Sequence, residues 1–325
     1  NIDKNKFNFN YKEIKFYNEK TVKGIGDDAA VMDLGDEYLV TTTDMLVEGI
    51  HFDLQYMCPE DLGWKALAVN LSDIAAMGGV PIGFTISVAV PPVKSGVFLT
   101  RMYKGMMELA RDTKTVLLGG DTSASSGPVF LSVTILGDVK PTELITRKGA
   151  QPGDKIFVTG ELGVSAIGLE LLRCGGGRSK AVTHLISQHL RPQPRIKVGR
   201  WLATNHCASA LLDISDGLST DLSHLCKASN VGAVINSKKI PLPTLNSTVR
   251  SLVSKPLLDY SLNGGEDYEL LFSVPAKKEI QVPNKIEGVP VKQIGYVTDE
   301  PEICVTYEEG RIVPLSPKGF DHFRG

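Results

Sequence analysis

The sequence predicts a two-domain α+β protein in which each domain is a mixed or mainly antiparallel sheet covered by helices. Three observations predict it. The length of 325 residues suits roughly two domains. β-rich runs alternate with amphipathic helical stretches through the first half, and the alternation restarts after residues 140–154. That intervening stretch sets Pro141, Gly149, Pro152 and Gly153 among charges, which is the chemistry of a join. The expected domains are therefore 1–140 and 141–325.

In chain order, Glu37 to Thr43 reads as a strand from its β-favouring Tyr38, Leu39, Val40 and threonines. Pro59 to Met77 reads as a helix, with Pro59 at its start and Gly78-Gly79 and Pro81 as its stop. Leu67, Leu71 and Ile74 fall on one stripe of it. Ile82 to Val90 is a β-rich run closed by Pro91-Pro92. Ser95 to Lys114 is a second helix whose core face carries Met102, Met106, Leu109 and Ala110. Thr115 to Leu118 is expected as a short buried strand ending at Gly119-Gly120-Asp121, and Val129 to Val139 as another strand.

Beyond the join, Lys155 to Thr159 is a strand and Val164 to Cys174 a helix broken by Gly175-Gly176-Gly177. Pro194 to Asn205 is helical. Ala210 to Ile214 is a strand that leads through Asp213-Ile214-Ser215-Asp216-Gly217 into a helix ending near Ala228. Tyr268 to Val274 is a strand after Gly264-Gly265-Glu266-Asp267.

Formal net charge is −2, which gives no electrostatic reason to expect nucleic acid or a membrane surface as partner. No apolar run reaches the length of a membrane span, and Asn1 to Lys20 lacks the apolar core of a signal peptide. Cys58, Cys174, Cys207, Cys226 and Cys304 are scattered and form no CxxC pair. That favours reduced thiols and a cytoplasmic location over a disulfide frame or a zinc site.

Acids beside Gly, Ser or Thr recur where strands are expected to end. They occur in Gly26-Asp27-Asp28, Thr42-Thr43-Asp44, Gly119-Gly120-Asp121 and Asp213-Ile214-Ser215-Asp216-Gly217. Oxygen ligands from several loops, with room left for substrate oxygens, suit Mg²⁺ on a polyphosphate. Each motif alone has a plainer explanation as a turn or a helix cap. Asp73 resists that explanation: it sits inside a helix, shares a face with Asn70, and is flanked by Leu71, Ile74, Ala75 and Ala76. A buried aspartate there needs a partner, and a cation is one. Gly119-Gly120 offers a backbone nest for phosphate. Arg147, at the join, is a candidate for neutralising phosphate charge. The run Gly264 to Glu269 reads most simply as a solvated acidic loop. No histidine pair forms a metal motif, and His51 is the histidine nearest the acidic motifs, a candidate substrate contact. There is no P-loop and no protein-kinase glycine loop.

Taken together, several strings resemble the thiamine-monophosphate kinases, a family within the superfamily that includes aminoimidazole ribonucleotide synthetase. They are Gly24-Ile25-Gly26-Asp27-Asp28-Ala29-Ala30, the run from Thr42 to Phe52, the run from Lys65 to Gly78, and Gly119-Gly120-Asp121-Thr122. Further on come Arg147-Lys148-Gly149-Ala150, Asp213 to Leu218, Gly264 to Leu270, and Lys318-Gly319-Phe320-Asp321-His322-Phe323. The resemblance runs from Gly24 to the C-terminus.

The resemblance implies transfer of the γ-phosphoryl of ATP to thiamine monophosphate, the last step of thiamine diphosphate biosynthesis. It implies that Asp28, Thr42, Thr43, Asp44, Asp73, Asp121, Asp213 and Asp216 hold several Mg²⁺ ions. It further implies that Gly120, Asp121, Arg147 and Ser215 contact ATP, and that His51, Glu266 and Phe320 meet thiamine monophosphate. It implies a homodimer whose N-terminal domains form a shared barrel. The acceptor phosphate is already ionised at neutral pH, so direct in-line transfer is expected with no strong general base and no covalent phosphoenzyme. Members carry a helix before the first acidic motif; here that region is Asn/Lys-rich, with Phe7, Phe9, Ile14 and Phe16 only loosely periodic. Phe320 stands where an aromatic ring is usual, so stacking is kept without a tyrosine hydroxyl. Two superfamily relatives, selenophosphate synthetase and the hydrogenase maturation protein, rely on a reactive terminal cysteine that the quoted strings lack. A silent Mg–nucleotide sensor is the reading from another class, and the presence of every expected acid argues against it.

Overall fold

The computed structural model describes residues 18–175 and 179–319. Phe320 and the aromatic residues before residue 18 lie outside the described residues.

Two sheets organise the chain. The first holds β1 (Thr21–Lys23), β2 (Ala30–Asp33), β3 (Tyr38–Val47), β4 (Val80–Val90), β5 (Val116–Ala124) and β6 (Phe130–Val139) in the order β1-β2-β3-β6-β4-β5. Its pairings are antiparallel except β4 with β5. It is open, with β1 and β5 at its edges, and the single chain closes no barrel among the described residues. The second sheet holds β7 (Lys155–Thr159), β8 (Ala210–Ile214), β9 (Gly232–Asn236), β10 (Glu269–Val274), β12 (Val289–Thr298), β13 (Ile303–Thr306) and β14 (Ile312–Pro314). Their order is β14-β13-β9-β12-β7-β10-β8, and β11 (Lys285–Ile286) pairs off the path with β12. Only β13 with β9 is parallel there.

The helix α1 (Pro59–Ala76) lies between the sheets. Pro59 opens it with Glu60 and Asp61 in the first turn, where their charge suits the helix N-terminus. Gly78, at φ +68°, follows its end in the left-handed conformation that closes helices. The helix is apolar nearly all round and buried on both sides, as a central helix must be. On one side it crosses α2 (Val97–Asp112) at a pair of glycines. A Cβ on Gly63 would lie 1.9 Å from Met102 O, and one on Gly105 would lie 1.9 Å from Glu60 O. On the other side α5 (Ile196–Thr204) approaches so closely that a Cβ on Gly199 would lie 2.1 Å from Ala75 O.

Strand alternation aims the side chains. On β3, Val40 and Leu46 enter the core beneath α1 and α2, so Thr42 and Asp44 share that face. On β8, Ala210, Leu212 and Ile214 pack with α6 (Leu218–Ser229), whereas Leu211 joins Ala75 and Ala76 on the α1 side. Asp213 therefore also points toward α1. The helices α3 (Val164–Arg173), α4 (Lys180–Leu190) and α7 (Leu257–Asn263) enclose a further core around Ile167, Leu185 and Tyr260.

Two expectations change. The expected buried strand and its Gly119-Gly120-Asp121 turn are instead one largely exposed edge strand, β5, with a bulge opposite Phe84/Thr85. Gly120 is needed there because a Cβ would lie 2.0 Å from Ile86 O across the strand pair. Asp44 likewise sits inside its strand and not at the end. α4 was not expected, because its apolar positions Val182, Leu185 and Leu190 are interrupted by polar residues. No helix among the described residues is long and apolar enough to cross a membrane. All five cysteines are free thiols.

Candidate active site

The loop between β1 and β2, the helix α1 and the strand β8 each deliver one carboxylate to a common point. One oxygen each from Asp28, Asp73 and Asp213 lies within 4.8 Å of the others. Both domains thus contribute. Neighbouring groups fix each acid: Thr42 Oγ1 donates to Asp73 Oδ2 at 2.6 Å, and Ser72 Oγ donates to Asp213 Oδ2 at 2.6 Å. Asn70 Oδ1 accepts the backbone N–H of Asp44 at 3.0 Å, so the helix also sets the height of β3.

Burial and mutual repulsion make these acids hard to ionise. Burial pushes Asp213 up to about 8, with the charge of Asp28 adding to it. Burial lifts Asp73 well above the usual carboxylate range, and Asp44, Asp213 and Asp28 raise it further. Asp44 is raised by burial and by the carboxylates of Asp216 and Asp28. Asp28 is raised by burial against the opposing pull of Arg147. Hard oxygen donors crowded in this way fit a divalent cation such as Mg²⁺, whose charge would remove the repulsion.

The guanidinium of Arg147 already lies on Asp28, through Nη2 to Oδ1 at 2.6 Å and Nε to Oδ2 at 3.1 Å. Asp27 serves a different purpose. Its Oδ1 accepts the Arg147 backbone N–H at 3.0 Å and its Oδ2 pairs with Lys23 at 2.7 Å. It anchors the join to the β1–β2 loop.

Where β8 turns into α6, a second group forms from Asp216, Asp221 and His224, whose ligand atoms lie within 4.8 Å of one another. Asp221 Oδ2 accepts the backbone N–H groups of Asp216 and Gly217 at 3.1 and 3.0 Å. Sequence reasoning found Asp216 and missed Asp221 and His224; their three-residue spacing on a helix was the available signal.

The Gly264 to Glu269 run is not a solvated loop: Gly264 to Asp267 are half-buried, and Tyr268 and Glu269 are buried. Asp267 accepts the N–H groups of Gly163 and Ser165, at 2.6 and 3.1 Å, at the start of α3. Glu269 pairs with Arg195 and Thr159. Glu266 pairs with Lys65 at 2.8 Å, and His51 lies near enough to favour its ionised form. Tyr268 is raised well above its usual value by burial and by the charges of Glu266, Asp44, Asp213 and Asp73, so its hydroxyl stays protonated. Neither Tyr268 nor Lys65 was singled out from the sequence. Ser215 bends the chain here, its carbonyl accepting the Glu266 N–H at 2.7 Å.

The structure therefore brings Asp28, Asp73 and Asp213 together, with Thr42 on Asp73 and Arg147 on Asp28. It places Asp44 within electrostatic reach of Asp28 and of Asp216 in the second group, and His51 within electrostatic reach of Glu266. It does not bring Thr43 or Asp121 to the acid cluster. The Thr43 side chain lies on the opposite face of β3, bonded to Val133 O at 3.0 Å and to Thr134 at 3.1 Å. Strand alternation requires this once Thr42 and Asp44 face α1. Asp121 and Gly120 are exposed on β5, and Asp121 Oδ1 accepts the Thr122 N–H.

Residues 26–139 match the family model described as AIR synthase related protein, N-terminal domain, and residues 151–308 match its C-terminal domain. The thiamine-monophosphate kinase of Buchnera aphidicola subsp. Schizaphis graminum is 37% identical over 330 residues, 99% of this chain and 100% of that protein. That of Escherichia coli strain K12 is 40% identical over 305 residues, 92% of this chain and 91% of that protein. A solved structure described as AaThiL complexed with AMPPCP and TMP superposes with a TM-score of 0.82 at 36% identity, covering 93% of this chain and 92% of its own.

Proposed function

The chain belongs to the thiamine-monophosphate kinases, and from that membership we propose how its site works. It catalyses ATP-dependent phosphorylation of thiamine monophosphate, giving thiamine diphosphate and ADP. The convergence of Asp28, Asp73 and Asp213 from both domains carries the rest of the reading.

Both reactants are polyanions, so the site must position them and neutralise charge more than it must supply covalent help. Asp28, Asp44, Asp73, Asp213 and Asp216 would hold Mg²⁺, with Thr42 and Ser72 fixing the carboxylates of Asp73 and Asp213 and Asn70 holding the Asp44 backbone. Mg²⁺ held there would supply charge neutralisation for the phosphates. Arg147 lies within the same acid cluster and is assigned, with Ser215, to the ATP phosphates. A phosphate monoester acceptor is largely ionised at neutral pH, its second pKa being about 6, so direct in-line attack needs no general base. Glu266 and His51 are assigned to thiamine monophosphate, whose thiazolium cation suits a carboxylate. Phe320 is assigned to stack on it.

Gly120, Asp121 and Thr43 are assigned to a site completed by a second copy. The sheet face away from α1 leaves Met45, Ile82, Val116 and Leu118 exposed, and an uncovered apolar face beside an edge strand supports a homodimer with a shared barrel. Free thiols throughout support a cytoplasmic location.

Coupled ADP release with thiamine monophosphate, ATP and Mg²⁺ tests the reading. Turnover is expected with the monophosphate and not with unsubstituted thiamine. No ADP release with either sinks it.

A further inference from the structure

Lys65 has no solvent exposure, in the middle of a helix whose neighbours are apolar. An ammonium buried so deeply is costly unless it is paired. Its ion pair is with Glu266, 2.8 Å from Oε1. The other carboxylate oxygen, Oε2, lies 3.4 Å from His189 Nδ1, itself 3.0 Å from Ser165 Oγ. Each oxygen of Glu266 is thus held from a different element, α1 on one side and α4 on the other.

The backbone is held as well. Glu266 has φ +67°, a left-handed conformation that a residue with a side chain seldom adopts, and its N–H is tied to Ser215 O at 2.7 Å. Yet the Glu266 side chain keeps 27% exposure, so one side of a rigidly held carboxylate still opens outward. A group fixed on three sides and open on the fourth is preorganised for a ligand.

α1 gives this arrangement its reach. Lys65 meets Glu266, Ser72 two turns on meets Asp213, and Asp73 beside it meets Thr42. Eight residues separate Lys65 from Asp73, about 12 Å at 1.5 Å per residue. One rigid helix therefore sets the distance between the acid cluster and Glu266.

We propose that Lys65 is a positioning residue for the acceptor pocket. Its ammonium fixes the Glu266 carboxylate and ties the loop bearing it to the helix that bears Asp73. The inference rests on the reading of Glu266 as an acceptor contact. Lys65 itself touches no substrate in this arrangement; it acts through Glu266, and replacing it leaves the ATP side of the acid cluster in place.

Steady-state kinetics with thiamine monophosphate, ATP and Mg²⁺ test it. K65M is expected to raise KM for thiamine monophosphate by about tenfold or more while KM for ATP stays within about twofold. E266Q is expected to raise the same KM, and K65M/E266Q to be no worse than E266Q alone, because the two residues act as one unit. Additive effects in the double variant, or KM values for both substrates rising in step, overturn the inference. If K65M does not fold, K65R carries the test, because it keeps the charge and moves it. A rise in KM confined to thiamine monophosphate supports the role, and unchanged kinetics overturns it. Absence of ADP release in the unsubstituted protein overturns the kinase reading and this inference with it. ADP release with an unsplit KM response overturns this inference alone.

Discussion

Arg147 grips Asp28 with two hydrogen bonds, at 2.6 and 3.1 Å, and both side chains are buried. The pair joins the linker between the sheets to the loop before β2, and it places a guanidinium among acids that burial makes hard to ionise. Removing one partner of a buried ion pair leaves the other uncompensated, at a cost of about 3–5 kcal/mol. R147M should therefore lower the Tm sharply in metal-free buffer. A divalent cation would restore part of the missing positive charge, so Mg²⁺ should raise the Tm of R147M more than that of the unsubstituted protein. Calorimetry with and without Mg²⁺ reads both effects. An equal Mg²⁺ response in the two proteins would refute the shared-charge account.

The crossing of α1 and α2 makes a second prediction on stability alone. A methyl group at Gly105 would lie 1.9 Å from Glu60 O, a backbone atom that cannot move without displacing the whole helix. Such overpacking typically costs about 1–3 kcal/mol, and more where backbone must shift. Gly127 is the control: nothing lies within 4 Å of the position its Cβ would take. G105A should melt well below the unsubstituted protein in urea, while G127A should be neutral. Equal denaturation midpoints for the two variants would disprove the crossing as a constraint.

Much of this was legible in the sequence, for particular reasons. α1 was visible because Pro59, the Gly78-Gly79 stop and the stripe of Leu67, Leu71 and Ile74 are all local signals. Asp73 was legible because an acid among Leu71, Ile74 and Ala75 conflicts with its surroundings, and such conflicts mark sites. The sequence did not separate Thr42 from Thr43, since facing is decided by which face of β3 meets α1, a tertiary fact. Asp44 and Asp121 looked like strand ends because Gly and Asp are poor strand formers, yet pairing with β6 and β4 carries both strands through. The roles of Lys65 and His189 depend on contacts across 201 and 77 positions of chain with Glu266 (266 − 65 and 266 − 189), which no local pattern encodes.

His189 gives the acid limb of stability. Burial, with the charge of Lys65 second, depresses it from an ordinary 6.5 to about 3, so it is neutral in the folded protein. Between those values the unfolded chain binds one more proton than the folded one. Its contribution is therefore present above pH 6.5 and is lost as pH falls toward 3. Where the unfolded histidine is fully protonated, the loss is about 1.4 kcal/mol per pH unit. H189Q should flatten the stability curve between pH 6 and pH 4, read as urea midpoints at each pH. An unchanged slope in H189Q would show that other groups carry the acid limb.

Asp73 separates function from folding most cleanly. Its carboxylate is crowded by Asp28 and Asp213 and accepts from Thr42 Oγ1 at 2.6 Å. D73N keeps the shape and an acceptor oxygen for Thr42 but removes one negative charge from the cluster. In metal-free buffer it should be as stable as the unsubstituted protein or more so, because like-charge repulsion among buried acids is relieved. Its affinity for Mg²⁺ should fall, and turnover should drop by about 100-fold or more, since removing charge that organises the transferring phosphoryl group costs several kcal/mol. D44N should behave alike, because Asp44 is also raised by burial and by neighbouring carboxylates, Asp216 and Asp28. The measurements are ADP release at saturating Mg²⁺ and the Tm in chelator. Full turnover in both variants would remove these acids from the metal site, whereas loss of turnover together with a collapsed Tm would make their role structural. Loss of turnover with an undiminished Tm is the expected result, and it would show that α1 presents Asp73 for chemistry at the expense of the stability of the empty site.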